Sequence, residues 1–516
     1  MNSGKKPLML MAKSHSVEEY IRPPPIQEVE EDIDTIGFFR AAWDLLSYSF
    51  HATMINVANT FIETINLMVI GNYFHHDYTC ALGIAYCWTN ISSYSLLLGM
   101  ISTIEGRCTE DFERNDPKAA KAYYNRTSII LFSLTLIAIF GLFWYSSILL
   151  ELINIPHDIS ILAQGYLRVY SPGFVFLIQY EVSKQYANSL SKENLQGISS
   201  SVATIIHIPV LCVMMKYFES GLTAVALATS ITQFVNYIGV IVIIWCFDST
   251  EQLESTWDPL EIMKEWWQFI KKNYSNGLLV CVEWLGLELI TIESSYLSNV
   301  DLAATIIIQN MVSIAFLFSW NISVSSTAFI ELATEEENVG DRRRYAIRSI
   351  QVFLLILLPG ILLLFLLHKR ITLLFTNSED VINKVKNLLE GTIETVIFLD
   401  GMQAILGGIL RGLGKSHVAF YGNLACYYLL VQPFALSLGF LLYMGIYGFW
   451  MSMGVGLFFN IVFYVGVLIS QDWKRIEVEW IEFPSERKEI LVKSANAGVY
   501  NSPDAKRMLM LLQNNS

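Results

Sequence analysis

Long uncharged apolar runs recur along the chain at residues 78–104, 127–150, 196–215, 220–247, 302–330 and 349–367. Residues 416–471 also lack any charge and are long enough for two more crossings, with a Gly/Tyr-rich turn at 444–448. A helix rises about 1.5 Å per residue and the hydrocarbon core is about 30 Å thick, so about 20 apolar residues cross it once. Four further apolar stretches, at 41–76, 161–187, 275–300 and 391–410, are as long but carry ionisable residues. Together they predict an all-α integral membrane protein of twelve transmembrane helices with both ends on one side.

The pattern divides the chain into a polar tail at 1–36, six helices within 37–247, a connector at 248–274, six helices within 275–471, and a second polar tail at 472–516. The first tail contains Pro23-Pro24-Pro25 and the acidic stretch 28–34, and lacks the apolar core of a cleavable signal. In the connector Leu260, Met263, Trp266, Trp267 and Ile270 recur at helical spacing opposite charged positions, which predicts an interfacial helix joining the halves.

Composition supports the membrane reading: 53% of the residues are hydrophobic and 16% charged, too apolar for an ordinary soluble protein. With 34 Lys and Arg against 47 Asp and Glu, the chain has a net charge of −13 and no concentrated basic surface, which argues against a nucleic-acid partner. The basic residues cluster in loops at 107–126, 184–192, 264–272, 342–348 and 411–415 and are sparse on the other side, at Arg168, Lys216, Lys369, Arg370, Lys384 and Lys386. Because cytoplasmic loops retain Lys and Arg, both termini are predicted to be cytoplasmic. The seven cysteines include no C-x-x-C pair and have no histidines at ligand spacing, so no disulfide framework, metal site or cofactor is indicated.

A shift of 224 positions pairs Pro209 with Pro433, Gly221 with Gly445 and Asn236 with Asn460, and superimposes span one on span seven and span four on span ten. Six crossings return a chain to its starting side, so the halves form two six-helix lobes related by a parallel pseudo-twofold repeat. The charge-bearing spans are one, four, seven and ten, two repeat-related pairs. An ionisable residue at the bilayer centre costs about 2.5–3.5 kcal/mol even on the lenient insertion scale, so such residues face a bundle interior or a wet cavity.

Span seven carries Glu283, Glu288 and Glu293, span ten Glu394 and Asp400, and span one Glu63 with Asn59 and Asn66. Glu283 and Asp400 lie nearest the middles of their spans, whereas Glu293 and Glu394 sit toward the outer ends. A carboxyl withdrawn from water holds its proton more tightly, while an organic cation beside it favours the ionised form. This competition is a physical basis for exchanging cation against proton. Trp284 and the Tyr427-Tyr428 pair supply flat faces that attract positive charge, and Gln403 and Asn59 supply polar contacts. Packing roles compete with these readings: Glu181 has Lys184 one turn away and reads equally as an ion pair, Glu63 equally as a hydrogen-bonded packing residue, and His207 as a packing residue. Gly414-Lys415-Ser416 resembles the end of a phosphate-binding loop, but Ile409 stands where its first glycine belongs and no strand precedes it.

Cys281-Val282-Glu283-Trp284 with Glu288 resembles span seven of the eukaryotic MATE (multidrug and toxic compound extrusion) family, and Leu399-Asp400-Gly401-Met402-Gln403 leading into residues 408–415 resembles its span ten. Asn423 with Tyr427-Tyr428, Pro433 and Gly448-Phe449-Trp450 continue the likeness, as do Tyr166-Leu167-Arg168 and Pro172-Gly173 in the first half. The resemblance implies a secondary exporter with two lobes around a V-shaped cleft. It would expel organic cations, drugs or metabolites by alternating access in exchange for protons, with sodium the less favoured ion. It assigns coupling and substrate recognition to Glu283 and Asp400 and gives Glu288 a family counterpart; Glu63 is not typical of the eukaryotic branch. A plasma membrane or a vacuolar or vesicular membrane suits such an exporter, and two complete lobes in one chain allow a working monomer. The alternative is a flippase for lipids or lipid-linked precursors, which would need a more basic cavity. A receptor or channel fits the twofold repeat poorly, and an intramembrane enzyme lacks a nucleophile and base at suggestive spacing.

Overall fold

The computed structural model describes residues 38–248, 266–335, 339–471 and 473; both predicted tails and most of the connector lie outside them. Lipid offers no hydrogen-bond partner, so a crossing backbone must satisfy itself as helix, and the described residues are helical almost throughout. The first half contains α1 (Phe38–Tyr73), α2 (His76–Thr89), α3 (Ser95–Ile101), α4 (Thr103–Glu113), α5 (Pro117–Ala138), α6 (Ser146–Leu152), α7 (His157–Ser189), α8 (Glu193–Tyr217) and α9 (Gly221–Phe247). The second contains α10 (Trp266–Ser294), α11 (Asn299–Glu335), α12 (Val339–Phe375), α13 (Glu379–Leu389), α14 (Thr392–Gly412), α15 (Ser416–Leu424), α16 (Gln432–Ala435) and α17 (Ile446–Ser470). π-Helical turns at Asn90–Tyr94, Ile139–Phe143, Ala425–Val431 and Leu436–Leu441 continue α2 into α3, extend α5, and flank α16.

These segments form twelve rods of alternating direction, in two sets of six. Among the described residues, ten are long and apolar enough to cross a membrane. The other two rods are α2–α3, interrupted by Asn90, Ser92, Ser93 and Ser95, and α10, which carries Glu283, Glu288 and Glu293 and is only partly described. The repeat is visible in the element order: a short helix follows the third rod of each set, α6 in one and α13 in the other. Pro209 and Pro433 fall inside the fifth rods, and Asn236 and Asn460 are buried in the sixth. Helix α10 already begins at Trp266, so the later part of the predicted interfacial segment belongs to the long helix itself.

Each lobe has a polar pin within its apolar interior. In the first, the fully buried His207 joins Asn66 Oδ1 through Nε2 (2.9 Å) and Thr232 Oγ1 through Nδ1 (2.8 Å), tying α1, α8 and α9 together. This is the packing role. In the second, Asn423 Oδ1 accepts from Asn460 Nδ2 (3.0 Å), Tyr464 Oη (2.8 Å) and Gln403 Nε2. Glu181 and Lys184 form the ion pair that their spacing allows, at 2.5 Å.

We call the end of the bundle where α1 begins and α17 finishes the proximal end, and the opposite end distal. Proximally, Lys121 Nζ of α5 reaches Asp248 Oδ2 at the end of α9 (2.7 Å), and Tyr186 Oη donates to the same oxygen (3.0 Å). The Asp248 carboxylate is 0% exposed, so removing Lys121 takes a cation away from a buried charge. Lys121→Met is expected to destabilise the protein by about 3 kcal/mol. Thermal unfolding in detergent should show the loss for this variant and a smaller one for Lys121→Met combined with Asp248→Leu.

The lobes meet where α1 packs against α11 and α12 and where α2–α3 packs against α10 and α11. Along the first, Tyr48 packs edge-on against Phe329 (centroids 5.7 Å apart), Asn56 Nδ2 donates to Asn321 Oδ1 (3.3 Å), and Thr64 Oγ1 donates to Asn310 Oδ1 (3.0 Å). Distally the contact tightens. Asn72 Nδ2 donates to the Leu374 carbonyl (2.6 Å), Asn377 Nδ2 to the Asn72 carbonyl (3.1 Å), and Asn299 Nδ2 to Asp77 Oδ1 (2.7 Å). These bonds join the lobes directly at the distal mouth.

Candidate functional site

Helix α10 presents a stripe to α2–α3 at the i, i+3, i+7 spacing of one helix face. Cys281 meets Ser95 (Sγ to Oγ, 3.1 Å), Trp284 meets Tyr94 (ring centroids 5.8 Å), and Glu288 meets Asn90. Glu288 is 7% exposed. Its Oε1 accepts from Asn90 Nδ2 (2.7 Å) and its Oε2 from Gln309 Nε2 (3.3 Å), while Thr291 Oγ1 donates to Gln309 Oε1. A carboxylate of the second lobe is thus held by an amide of the first.

The π-helical turn explains how Asn90 reaches that oxygen. An extra residue in the turn shifts the helical register and leaves backbone groups looser than in a regular α-helix, which is why such turns recur at functional sites. The turn carries Asn90 and Tyr94 together onto the face toward α10.

Glu63 lies on α1 across from this seam. It is exposed to solvent, and among the described residues its carboxylate has no hydrogen-bond or ion-pair partner. It nonetheless sits deep along the helix, within electrostatic range of Glu288 and of the phenols of Tyr86, Tyr94, Tyr166 and Tyr170. Tyr166 stacks on Tyr170 (5.5 Å) and meets Tyr86 edge-on (5.9 Å). An exposed carboxylate thus lies within electrostatic range of four phenols, one of which, Tyr94, meets Trp284 of the second lobe. Asn59, one turn toward the proximal end, has its buried Oδ1 without a partner.

The remaining predicted residues form a second group inside the second lobe. Asp400 is 4% exposed on α14, within electrostatic range of Cys426. Gln403 is committed to Asn423. Tyr427 is buried with its ring against Gly286, and Tyr428 Oη donates to the Val282 carbonyl of α10 (2.6 Å). A cavity of about 150 Å³ opens beside them, lined by Val280, Val282, Arg411, Asn423 and Tyr427 among others. The Arg411 guanidinium lies 5.2 Å over the Trp320 ring and donates to Ser323 Oγ (2.9 Å). Glu283 is on α10, about 140° around the axis from Glu288; its side chain lies outside the described residues. Glu394 serves as a cap, its Oε2 accepting the Gly391 N–H (2.8 Å) at the start of α14.

The structure therefore brings Glu63, Glu288 and Trp284 together at the lobe boundary and gathers Asp400, Gln403, Tyr427 and Tyr428 in the second lobe. Asn90, Gln309, Tyr94, Tyr86 and Tyr170 join the first group without having been singled out in the sequence, and Tyr166, there only part of the family likeness, joins it too. One signal was present: the polar run from Asn90 to Ser95 interrupts an otherwise apolar span.

Twelve antiparallel rods in two repeat-related lobes, with polar side chains concentrated where the lobes meet, define a two-lobed membrane transporter rather than an enzyme. The MatE family profile matches residues 52–214 and 277–437, one stretch in each lobe, and the chain belongs to that family. It is 23% identical over 401 residues to multidrug and toxin extrusion protein 1 of Danio rerio, covering 77% of this chain and 67% of that protein. It is 26% identical over 415 residues to protein DETOXIFICATION 31 of Arabidopsis thaliana, covering 77% of each. Its fold is similar to the crystal structure of the eukaryotic MATE transporter AtDTX14, with a TM-score of 0.70 at 18% identity over 85% of this chain and 97% of that one. An inward-facing multidrug resistance MATE family transporter of the MOP superfamily gives 0.70 at 15% identity over 85% and 98%.

Proposed function

We propose that this protein is a secondary antiporter that exports organic cations, drugs or metabolites in exchange for protons by alternating access. The observation that carries this reading is Glu63: an exposed carboxylate partway along α1, without a hydrogen-bond or ion-pair partner among the described residues, and within electrostatic range of four tyrosines and of Glu288. An organic cation placed there gains an opposite charge and aromatic faces at once, and relieves the repulsion between two carboxylates. A proton arriving at either acid removes that attraction and releases the cargo. Glu288 is bonded across the lobe boundary, so a change in its charge alters a contact that must break and reform as the lobes rock.

Asp400 and Glu283 are assigned to a second coupling station in the other lobe, with Gln403, Tyr427 and Tyr428 shaping it. The Lys- and Arg-rich proximal end is assigned to the cytoplasm, the membrane to the cell surface or a vacuolar or vesicular compartment, and the working unit to the monomer. Two lobes at 37–247 and 275–471, joined by a cytoplasmic connector, complete this picture. In proteoliposomes an imposed pH gradient is expected to drive uptake of a labelled organic cation by the wild type, and Glu283→Gln and Asp400→Asn to reduce it strongly. Equal gradient-driven transport by all three would overturn the assignment of these two acids.

One observation favours a second reading. Arg411 lines the cavity of the second lobe, and a guanidinium there suits an anionic headgroup. Translocation of a fluorescent phospholipid with no cation flux would establish the flippase instead.

A further inference from the structure

At the distal mouth, His75, His76 and Asp77 occupy the turn between α1 and α2. One ligand atom from each lies within 4.8 Å of the other two. His75 Nδ1 is 2.8 Å from Asp77 Oδ2, His76 Nε2 is 3.6 Å from Asp77 Oδ1, and the two imidazole rings are 3.8 Å apart. Four ligands at about 2.0–2.1 Å from a tetrahedral zinc ion are separated by about 3.3 Å. The two observed separations, one to each oxygen of Asp77, bracket that value. The His75 side chain is 62% exposed, which leaves its ring room to turn toward a bound ion.

We propose that His75, His76 and Asp77 form a binding site for a divalent transition metal of the zinc class, open to the distal side. An ordinary helix-capping contact would need only the His75–Asp77 pair, and it leaves unexplained why a second imidazole is turned to the same carboxylate. The start of a helix carries partial positive charge that opposes a cation, and here the local charge reverses it. Asp77 is itself an anion, Asp380 of α13 lies within electrostatic range of His76, and the nearest lysine on that helix, Lys384, is engaged with Asp301 at 2.6 Å. Searches for paired cysteines or for histidines three or four residues apart pass over this arrangement, because its ligands are consecutive and a tight interhelical turn converges them.

The site also has the outer shell that metal-binding carboxylates require. Asp77 Oδ1 accepts from Asn299 Nδ2 (2.7 Å), which fixes the carboxylate. Asn299 and Asp380 both belong to the opposite lobe, so the shell is complete only while the distal mouth is closed. Metal arriving from the distal side therefore stabilises the closed mouth and slows turnover. This consequence rests on the alternating-access reading; the binding site itself does not.

The test uses the purified full chain in detergent, titrated with zinc chloride by calorimetry and with cobalt chloride by absorption spectroscopy. We expect one metal per chain, loss of at least tenfold in affinity for His76→Ala and for Asp77→Asn, and about a tenfold loss for Asn299→Ala, which removes no ligand. The cobalt complex should show tetrahedral nitrogen–oxygen bands without a thiolate charge-transfer band. Unchanged affinity in His76→Ala and Asp77→Asn, a thiolate band, or no binding at all would each overturn the site. In proteoliposomes, zinc on the distal side should slow wild-type transport but not that of the His76→Ala variant; equal slowing of both would overturn the link to the mouth while leaving the site to the binding data.

Discussion

Glu63→Gln is expected to lower gradient-driven uptake by about 100-fold or more while changing stability by no more than about 0.5 kcal/mol. The two expectations come from the same fact. Glu63 makes no hydrogen bond or ion pair among the described residues, so the isosteric amide loses no structural contact, yet it can neither carry a proton nor attract a cation. Glu288 provides the contrast, since its carboxylate accepts from Asn90 and Gln309 across and along the lobe boundary. Glu288→Ala strands two half-buried amide donors and is expected to cost about 1–3 kcal/mol in addition to its transport defect. Measuring uptake and thermal unfolding for both variants separates the roles. Normal gradient-driven uptake by Glu63→Gln would remove the foundation of the proposed exchange site.

The second large effect is expected at Gly71. A Cβ at this position would stand 2.0 Å from the Phe375 carbonyl oxygen, a backbone atom of the opposite lobe. No rotamer change relieves that contact, so α1 and α12 must move apart at the distal mouth. The neighbouring bonds of Asn72 with Leu374 and Asn377 are then lost. Gly71→Ala should therefore hold the mouth open, and Gly71→Val more so, with transport reduced by about tenfold or more as the closed state becomes costly to reach. Cys80 is a built-in reporter: it is fully buried beside the Asn299 carbonyl (3.1 Å), near the mouth. With the exposed Cys212 and Cys246 replaced by serine, a membrane-impermeant thiol reagent should label Cys80 faster in Gly71→Ala than in the parent. Unaltered labelling together with unimpaired transport would show that the mouth does not need this close approach.

Much of the architecture was legible without coordinates because membrane insertion leaves few solutions. Uninterrupted apolar runs mark crossings, and a repeated proline, glycine and asparagine at one offset mark the two lobes. The polar run from Asn90 to Ser95 in α2–α3 faces α10 across the lobe boundary, where Asn90 meets Glu288. Polarity that interrupts an apolar run is the same polarity that builds the site. Depth in the membrane is the one geometric variable a linear pattern offers, and depth points to Glu283 and Asp400. Depth says nothing about which face a residue occupies or what waits opposite, so Glu63 and Glu288 stand out only once the helices are packed.

The sequence by itself determined that this chain crosses a membrane many times, that its halves repeat, and that a few carboxylates lie at membrane depth, because each of these depends on local composition and on spacing along one helix. Only the tertiary structure decided which carboxylate is free and which is bonded. Glu63 stands open among tyrosines from α2, α7 and the π-helical turn, whereas Glu288 is held by an amide about 200 positions away in sequence. Those partners come from different helices whose relative register is set by packing, above all by the π-helical turn that carries Asn90 to Glu288 and by the glycine that lets α1 touch α12. Helical periodicity fixes what lies on one face; what that face meets depends on the rotation and sliding of whole helices against each other.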